Sequence, residues 1–267
     1  MIQKESITRE KALRLSREIF SSRYPEASFA VASGSIIRGQ GAPHSDIDLV
    51  VVYKNLPTAY RESFFYEDVP VEAFVHDAET LQAFMEDDLK KATPAMHHMV
   101  ATGIVLPAKT QESTQLQRYA RDILSKGLET PAWRIDLLRY LVGDKIDDLK
   151  DERPFGERAS LLYALYETIG ELRLRIDGRF IATGKYLSRS LHACDPAFAQ
   201  RLEAFMSQAL QDPQAKVDIE TPTALLDLCG GYIFDRFKLE APQNMRAEAK
   251  WLRAFEEPAS PESVTHV

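Results

Sequence analysis

Cysteine is nearly missing from this sequence. Cys194 and Cys229 are the only two, far apart in the chain, with no Cys-x-x-Cys pair and no Cys/His run at zinc spacing. A disulfide framework and a structural zinc centre are therefore excluded as organising devices, and both thiols are expected as small, buried core side chains. Long apolar runs are missing too: no stretch approaches the ~20 residues that a membrane-spanning helix needs. The first residues, 1–11, are charged from Lys4 on and lack the apolar centre of a signal peptide, so the expected compartment is the reducing cytoplasm. There is no long basic run, and 33 Lys and Arg stand against 40 Asp and Glu, for a net charge of -7. Stable, sequence-independent binding of nucleic acid is a poor expectation for such a chain, although a local basic patch can still hold a triphosphate. Internal repeats and low-complexity tracts are also lacking.

What is present reads as an ordinary globular composition, with 45% hydrophobic and 27% charged residues over 267 positions. That length favours two domains. Two textures support the division. Up to about Pro107, helix-like and strand-like patterns alternate. Residues Ile7 to Phe20 place Ile7, Leu13, Ile19 and Phe20 among charges, as an amphipathic helix does. Ser28 to Ser33 is a short apolar run that ends at Gly34, and Ile47 to Tyr53 has the β-branched content of a central strand. Glu62 to Tyr66 and Val69 to Val75 read as strands joined by a tight turn at Glu67-Asp68, with Pro70 at the start of the second, where its missing donor matters least. Asp77 is an N-cap candidate for a helix to Lys91, and Gly103 to Leu106 is suited to close the sheet. From about Gln111 the pattern is helical, most clearly from Glu157 to Ile176, with Leu162, Leu165, Ile169, Leu172 and Ile176 on one stripe. A further helix is expected from Thr221 as N-cap, with Pro222 in its first turn, through to Phe237. The expected fold class is α+β: a small mixed β-sheet flanked by helices over residues 1–110, an all-α helical bundle over 111–256, and a flexible tail over 257–267.

The chemistry concentrates in Gly34-Ser35-Ile36-Ile37-Arg38-Gly39 and Ser45-Asp46-Ile47-Asp48-Leu49-Val50-Val51-Val52. Asp46 and Asp48 are two apart on an expected strand, so both carboxylates leave the same face. Like charges side by side repel, and nothing about folding asks for them. A divalent cation resolves the conflict, and hard oxygen ligands are what Mg²⁺ prefers. Ile47, Leu49 and Val51, on the opposite face, are free to pack. Glu72 is an acid inside the apolar strand Val69 to Val75, a costly placement unless it is paired or bound to metal. If the two strands are neighbours, three carboxylates converge into a two-metal site. Gly34 lets the backbone approach a phosphate, and the Ser35 hydroxyl and nearby amides supply donors. Arg38 either adds positive charge at the transferring phosphate or pins its own loop. His97-His98 looks like a metal pair, but adjacent helix residues point apart and no third ligand is suitably spaced, so a structural role is expected. His44 is expected as a loop residue.

The stretch GSIIRGQGAPHSDIDLVVV resembles the signature of the DNA polymerase β-like nucleotidyltransferase superfamily: Gly-Ser followed about ten residues later by Asp-x-Asp on a strand. It looks most like bacterial aminoglycoside nucleotidyltransferases of the streptomycin/spectinomycin adenylyltransferase type, where a PHSDIDL-like segment and a VEV-like strand followed by His-Asp also occur. The resemblance covers about residues 28–77. It implies that Asp46 and Asp48 bind magnesium, two ions in all, with Glu72 as third acid in the role of ligand, general base or both. It also implies that Gly34 and Ser35, with Ser45 and Arg38 nearby, hold the triphosphate of ATP or another nucleotide. In the helical half, Leu138 to Leu149 looks like a helix of related two-domain transferases, and Gly184-Lys185-Tyr186-Leu187 like the segment whose lysine reaches the nucleotide phosphates. The locally basic group Arg173, Arg175, Arg179, Lys185 and Arg189 is placed as the second wall of that site. Asp144 and Asp148 share a helix face and are candidates to meet a cationic acceptor.

The function this implies is transfer of a nucleoside monophosphate, AMP from ATP in the first instance, to the hydroxyl of a small molecule such as an aminoglycoside-like compound. Two alternatives stand beside it: a protein- or RNA-modifying transferase of the antitoxin type, and a nucleotide-binding protein without catalysis.

Overall fold

The computed structural model describes residues 7–211, 216–235, 237–241 and 245. The expected tail over 257–267 lies outside them. Helix α1 (Arg9–Arg23) starts at Thr8, whose hydroxyl accepts from the Lys11 amide, and buries Ala12, Leu15, Ile19 and Phe20. Then follow β1 (Phe29–Ser33), the short helix α2 (Gly34–Ile37), β2 (Ile47–Val52), β3 (Tyr60–Tyr66) and β4 (Val69–His76). Helices α3 (Ala78–Lys90) and α4 (Ala95–Thr102) precede β5 (Ile104–Leu106). The five strands form one sheet in the order β3-β4-β2-β1-β5. It is mixed: β2 and β4 run parallel, whereas β1–β2, β1–β5 and β3–β4 are antiparallel.

Local chemistry explains these elements. Glu67 and Asp68 both take positive φ, at 45° and 60°, which gives the β3–β4 hairpin the two-residue turn whose twist matches its strands. Pro70 precedes the first β2–β4 pair, Ile47 with Val71, so its missing N–H costs the parallel ladder nothing. Asp77 caps α3 in a capping box with Thr80, as its sequence position suggests.

Strand alternation divides the sheet into two faces. Ala30, Leu49, Val51, Val71, Ala73 and Val75 pack on α1. Phe29, Val31, Val50 and Val52 pack on Leu81, Met85, Met96 and Val100 of α3 and α4, together with Ala120 of α5 (Gln111–Lys126). Helix α5 thus packs with the sheet, although it follows the boundary expected near residue 110.

A separate core joins α6 (Ala132–Asp148), α7 (Phe155–Ile176), α8 (Lys185–Cys194), α9 (Pro196–Gln211) and α10 (Glu220–Asp227). Its centre includes Val142, Leu162, Leu165, Ile169, Leu172, Leu191 and Leu202, all buried. Of the α7 stripe expected from the sequence, Leu162, Leu165, Ile169 and Leu172 are buried in this core, whereas Ile176, in the last turn, is exposed and Leu174 is buried instead. Helix α10 differs from expectation at both ends. Asp218, not Thr221, supplies the terminal acceptor, taking the Glu220 amide and the Thr221 hydroxyl. The helix stops at Asp227, not Phe237, because Gly230 and Gly231 turn the chain at positive φ. Of the two thiols, Cys229 is buried as expected, but Cys194 is half-buried and donates to the Asp177 carboxylate at 2.5 Å. Among the described residues, no helix is long and apolar enough to cross a membrane.

Candidate active site

Strand register assembles the site. Ser33, the last residue of β1, pairs with Asp48 across the antiparallel ladder, and Asp48 pairs with Glu72 across the parallel one. Val31, Val50 and Phe74 pack in the α3–α4 layer, so the residues two positions away share their face of the sheet: Ser33, Asp48 and Glu72. Asp46 joins them from the loop just before β2. One carboxylate oxygen from each of Asp46, Asp48 and Glu72 lies within 4.8 Å of the other two. The three acids expected from the sequence therefore come together.

Electrostatics at this point is strained. Burial pushes the Asp48 carboxyl up to about 6, and the Asp46 and Glu72 charges push the same way, while Arg38 and Arg61 oppose them. The Arg61 guanidinium donates to Glu72 Oε2 at 2.5 Å and lies 4.9 Å from the centroid of the Phe74 ring.

Gly34 is required by this packing. Its φ is +90°, and a Cβ there would collide with the Asp48 carboxylate oxygen. Asp48 thus rests directly on the backbone at the β1–α2 junction. Ser35 is buried and donates to the Ser45 hydroxyl at 3.1 Å, and Ser45 Oγ accepts from the Ala42 amide at 2.8 Å. Ser45 therefore ties the loop before Asp46 to α2. The Ser33 hydroxyl is buried beside Asp48 and has no hydrogen-bond partner among the described residues.

A cleft of about 540 Å³ opens on this face. Gly34, Arg38, Gln40 and Asp48 form one side, α4 with its preceding turn a second, and residues 180–183 with α8 a third. The Ile181 amide donates to the Ala92 carbonyl at 3.0 Å and fixes the 180–183 segment against the α3–α4 turn. Arg38, Arg189 and the exposed Tyr186 ring line the cleft, and Asp48 is the one carboxylate among its described lining residues. His98 lines it as well, its imidazole held below the usual range by desolvation and by the Arg38 charge.

The other expected residues fall elsewhere. Lys185 opens α8, exposed, with Nζ 5.4 Å from the Tyr186 ring centroid, and does not line the cleft. Arg173 is paired with Asp177 at 3.0 Å and with Asp195 at 3.4 Å, and Arg175 with Glu171 at 2.6 Å. Of the basic group expected as a second wall, Arg189 is the member that lines it. Asp148 pairs with Arg153 at 2.6 Å, Asp144 is exposed on α6, and neither lines the cleft. His97 is fully buried, as a structural residue would be, but its neighbour His98 is a cleft residue. His44 sits exposed in its loop. Sequence reasoning passed over Ser33 and Arg61, whose placement follows only from strand register.

A family model for the nucleotidyltransferase domain matches residues 13–155. The chain belongs to that family. It is an enzyme of the nucleotidyltransferase class, and the family implies a nucleoside triphosphate substrate and a divalent metal. The residues present fit such a metal: three carboxylates of an oxygen-only donor set converge, and the unpartnered Ser33 hydroxyl lies beside them. Among solved structures, the chain is similar to a nucleotidyltransferase-like protein from Exiguobacterium sibiricum. The two are 13% identical, with a TM-score of 0.39, over 81% of this chain and 73% of that one. Curated proteins give no match.

Proposed function

We propose that this nucleotidyltransferase moves a nucleoside monophosphate, AMP from ATP in the first instance, onto an acceptor hydroxyl in a reaction dependent on Mg²⁺. The observation that carries this reading is the convergence of Asp46, Asp48 and Glu72 within 4.8 Å of one another, with Asp48 lining a cleft of about 540 Å³. Two ions held by these acids would neutralise the charge that builds up on the transferring phosphate and its leaving group. The acceptor oxygen forms a new bond to the α-phosphorus as the bond to the β-phosphate oxygen breaks. Pyrophosphate leaves, and Glu72 takes the hydroxyl proton. Gly34 and the α2 amides cradle phosphate oxygens, Ser45 holds that loop in place, and Arg38 and Arg189 flank the triphosphate from two sides of the cleft.

The acceptor in this reading is a small molecule bound where the sheet unit, which includes α5, faces the helical core of α6 to α10. The cleft charge bears on its chemistry. Apart from Asp48, which this reading gives to the metal, the described lining of the cleft has no carboxylate, so a polycation of the aminoglycoside kind finds no acidic wall there. A neutral or anionic acceptor suits the cleft better. The acidic pair Asp144 and Asp148 is separate from it and gives no support to a cationic acceptor at that position.

The reading is tested by following pyrophosphate release and transfer of label from α-labelled ATP with Mg²⁺ present, across panels of neutral, anionic and cationic hydroxyl compounds. Transfer that requires Mg²⁺ and is lost in Asp46→Asn/Asp48→Asn supports it. Transfer that persists in the double variant overturns the assigned site, and preferential labelling of aminoglycosides overturns the acceptor class.

A further inference from the structure

The third acid is not free. Arg61 holds Glu72 Oε2 at 2.5 Å from the neighbouring strand β3, where it stands opposite Phe74 in the β3–β4 register. Its guanidinium is braced against the Phe74 ring, 4.9 Å from the centroid. The Arg61 side chain is 56% exposed and that of Glu72 28%, so the pair sits at the rim of the site with water on one side. An ion pair of that kind is held weakly and opens readily.

Three carboxylates in so small a volume require positive charge. In the metal-free protein Arg61 supplies part of it, as does Arg38 across the site. A divalent cation among the same oxygens makes both the Arg61 charge and its hydrogen bond to Glu72 redundant, and two cations at short range repel.

We propose that Arg61 is a positioning residue that holds Glu72 in the metal-free protein and yields it to the entering divalent cation, so that Arg61 sets the affinity and salt sensitivity of cation binding. The proposal rests on the assignment of Asp46, Asp48 and Glu72 as cation ligands. Arg61 touches neither nucleotide nor acceptor in this account. Its guanidinium swings off Glu72 along the exposed β3 face, where Ser63 and Phe65 leave it room.

Mn²⁺ serves as the probe, titrated into the full-length protein without nucleotide and read by the electron paramagnetic resonance of the free ion. Compared with wild type, Arg61→Gln is expected to bind Mn²⁺ roughly three- to tenfold more tightly at low ionic strength, with the difference shrinking as salt screens the site. Arg61→Lys keeps the charge and is expected to stay within about twofold of wild type. Thermal melting confirms that both variants are folded. Unchanged or weaker Mn²⁺ binding by Arg61→Gln overturns the proposal while leaving the cation site standing. It would mean that Arg61 steadies Glu72 for the metal rather than competing with it. Mn²⁺ binding that is undetectable in wild type, or that survives Asp46→Asn/Asp48→Asn, overturns the site assignment and the proposal with it.

Discussion

The sheet region and the helical region hold their charges for different purposes. In the sheet, Asp46, Asp48 and Glu72 crowd together with one guanidinium in contact, and burial, aided by the two neighbouring charges, pushes Asp48 up to about 6. In the helical half, Arg173, Arg175 and Arg153 are each matched to carboxylates of their own surroundings, mostly within one helical turn. A cluster with unbalanced charge invites a ligand, whereas a carboxylate already matched to its own arginine does not. The helical region shares in the site through Tyr186, Arg189 and the 180–183 segment, which close one side of a cleft whose carboxylate comes from β2.

The sharpest way to break this contrast is to neutralise the crowded acids. Asp48→Asn is expected to lower transfer by about a thousandfold or more while leaving the fold intact, since it relieves repulsion. Activity and thermal melting measured on the same sample check this. Arg173→Ala should do the reverse, costing stability with little direct effect on turnover. A second large effect is expected at Gly34. Gly34→Ala meets both the positive φ and the Asp48 carboxylate, so transfer should fall about a hundredfold and stability by about 1–3 kcal/mol, read by turnover and denaturant titration.

Smaller effects sharpen the comparison within the helical half. Arg189→Ala is expected to raise the KM for nucleotide by about tenfold, and Lys185→Ala by less than about twofold, because only Arg189 lines the cleft. Equal effects at the two positions would contradict that geometry. The smallest effect is a pH dependence. The Asp48 pKa is raised from 3.8 to about 6, so its contribution to stability is fully present below about pH 4 and is lost as pH rises through about 6. The melting temperature of the metal-free protein should therefore carry a falling component between these values that Asp48→Asn lacks. Mn²⁺ should bind progressively more weakly below about pH 6, as protons compete for the same carboxylate.

Much of the sheet region was legible because period-two alternation is a local rule. Asp46 and Asp48 two apart, Glu72 alone among apolar neighbours, Pro70 at a strand start and Asp77 as a cap each announce themselves within a few residues. Arg61 and Ser33 do not. The first depends on β3 lying beside β4 and the second on β1 pairing with β2, and the sequence shows no sign of register. Helical charge was harder still to interpret. Lys185 and Arg189 lie one turn apart on α8, and which of them meets the cleft depends on how α8 sits against the 180–183 segment. The early stop of α10 had a visible signal in Gly230-Gly231, outweighed in the sequence reading by the apolar periodicity that runs on to Phe237.

The most direct test of the central claim is calorimetry of nucleoside triphosphate binding with and without Mg²⁺, on wild type and on Asp46→Ala/Asp48→Ala. The account predicts that wild type binds a triphosphate only when Mg²⁺ is present and that the double variant does not bind at all. Tight binding without Mg²⁺, or equal binding by the double variant, would contradict it.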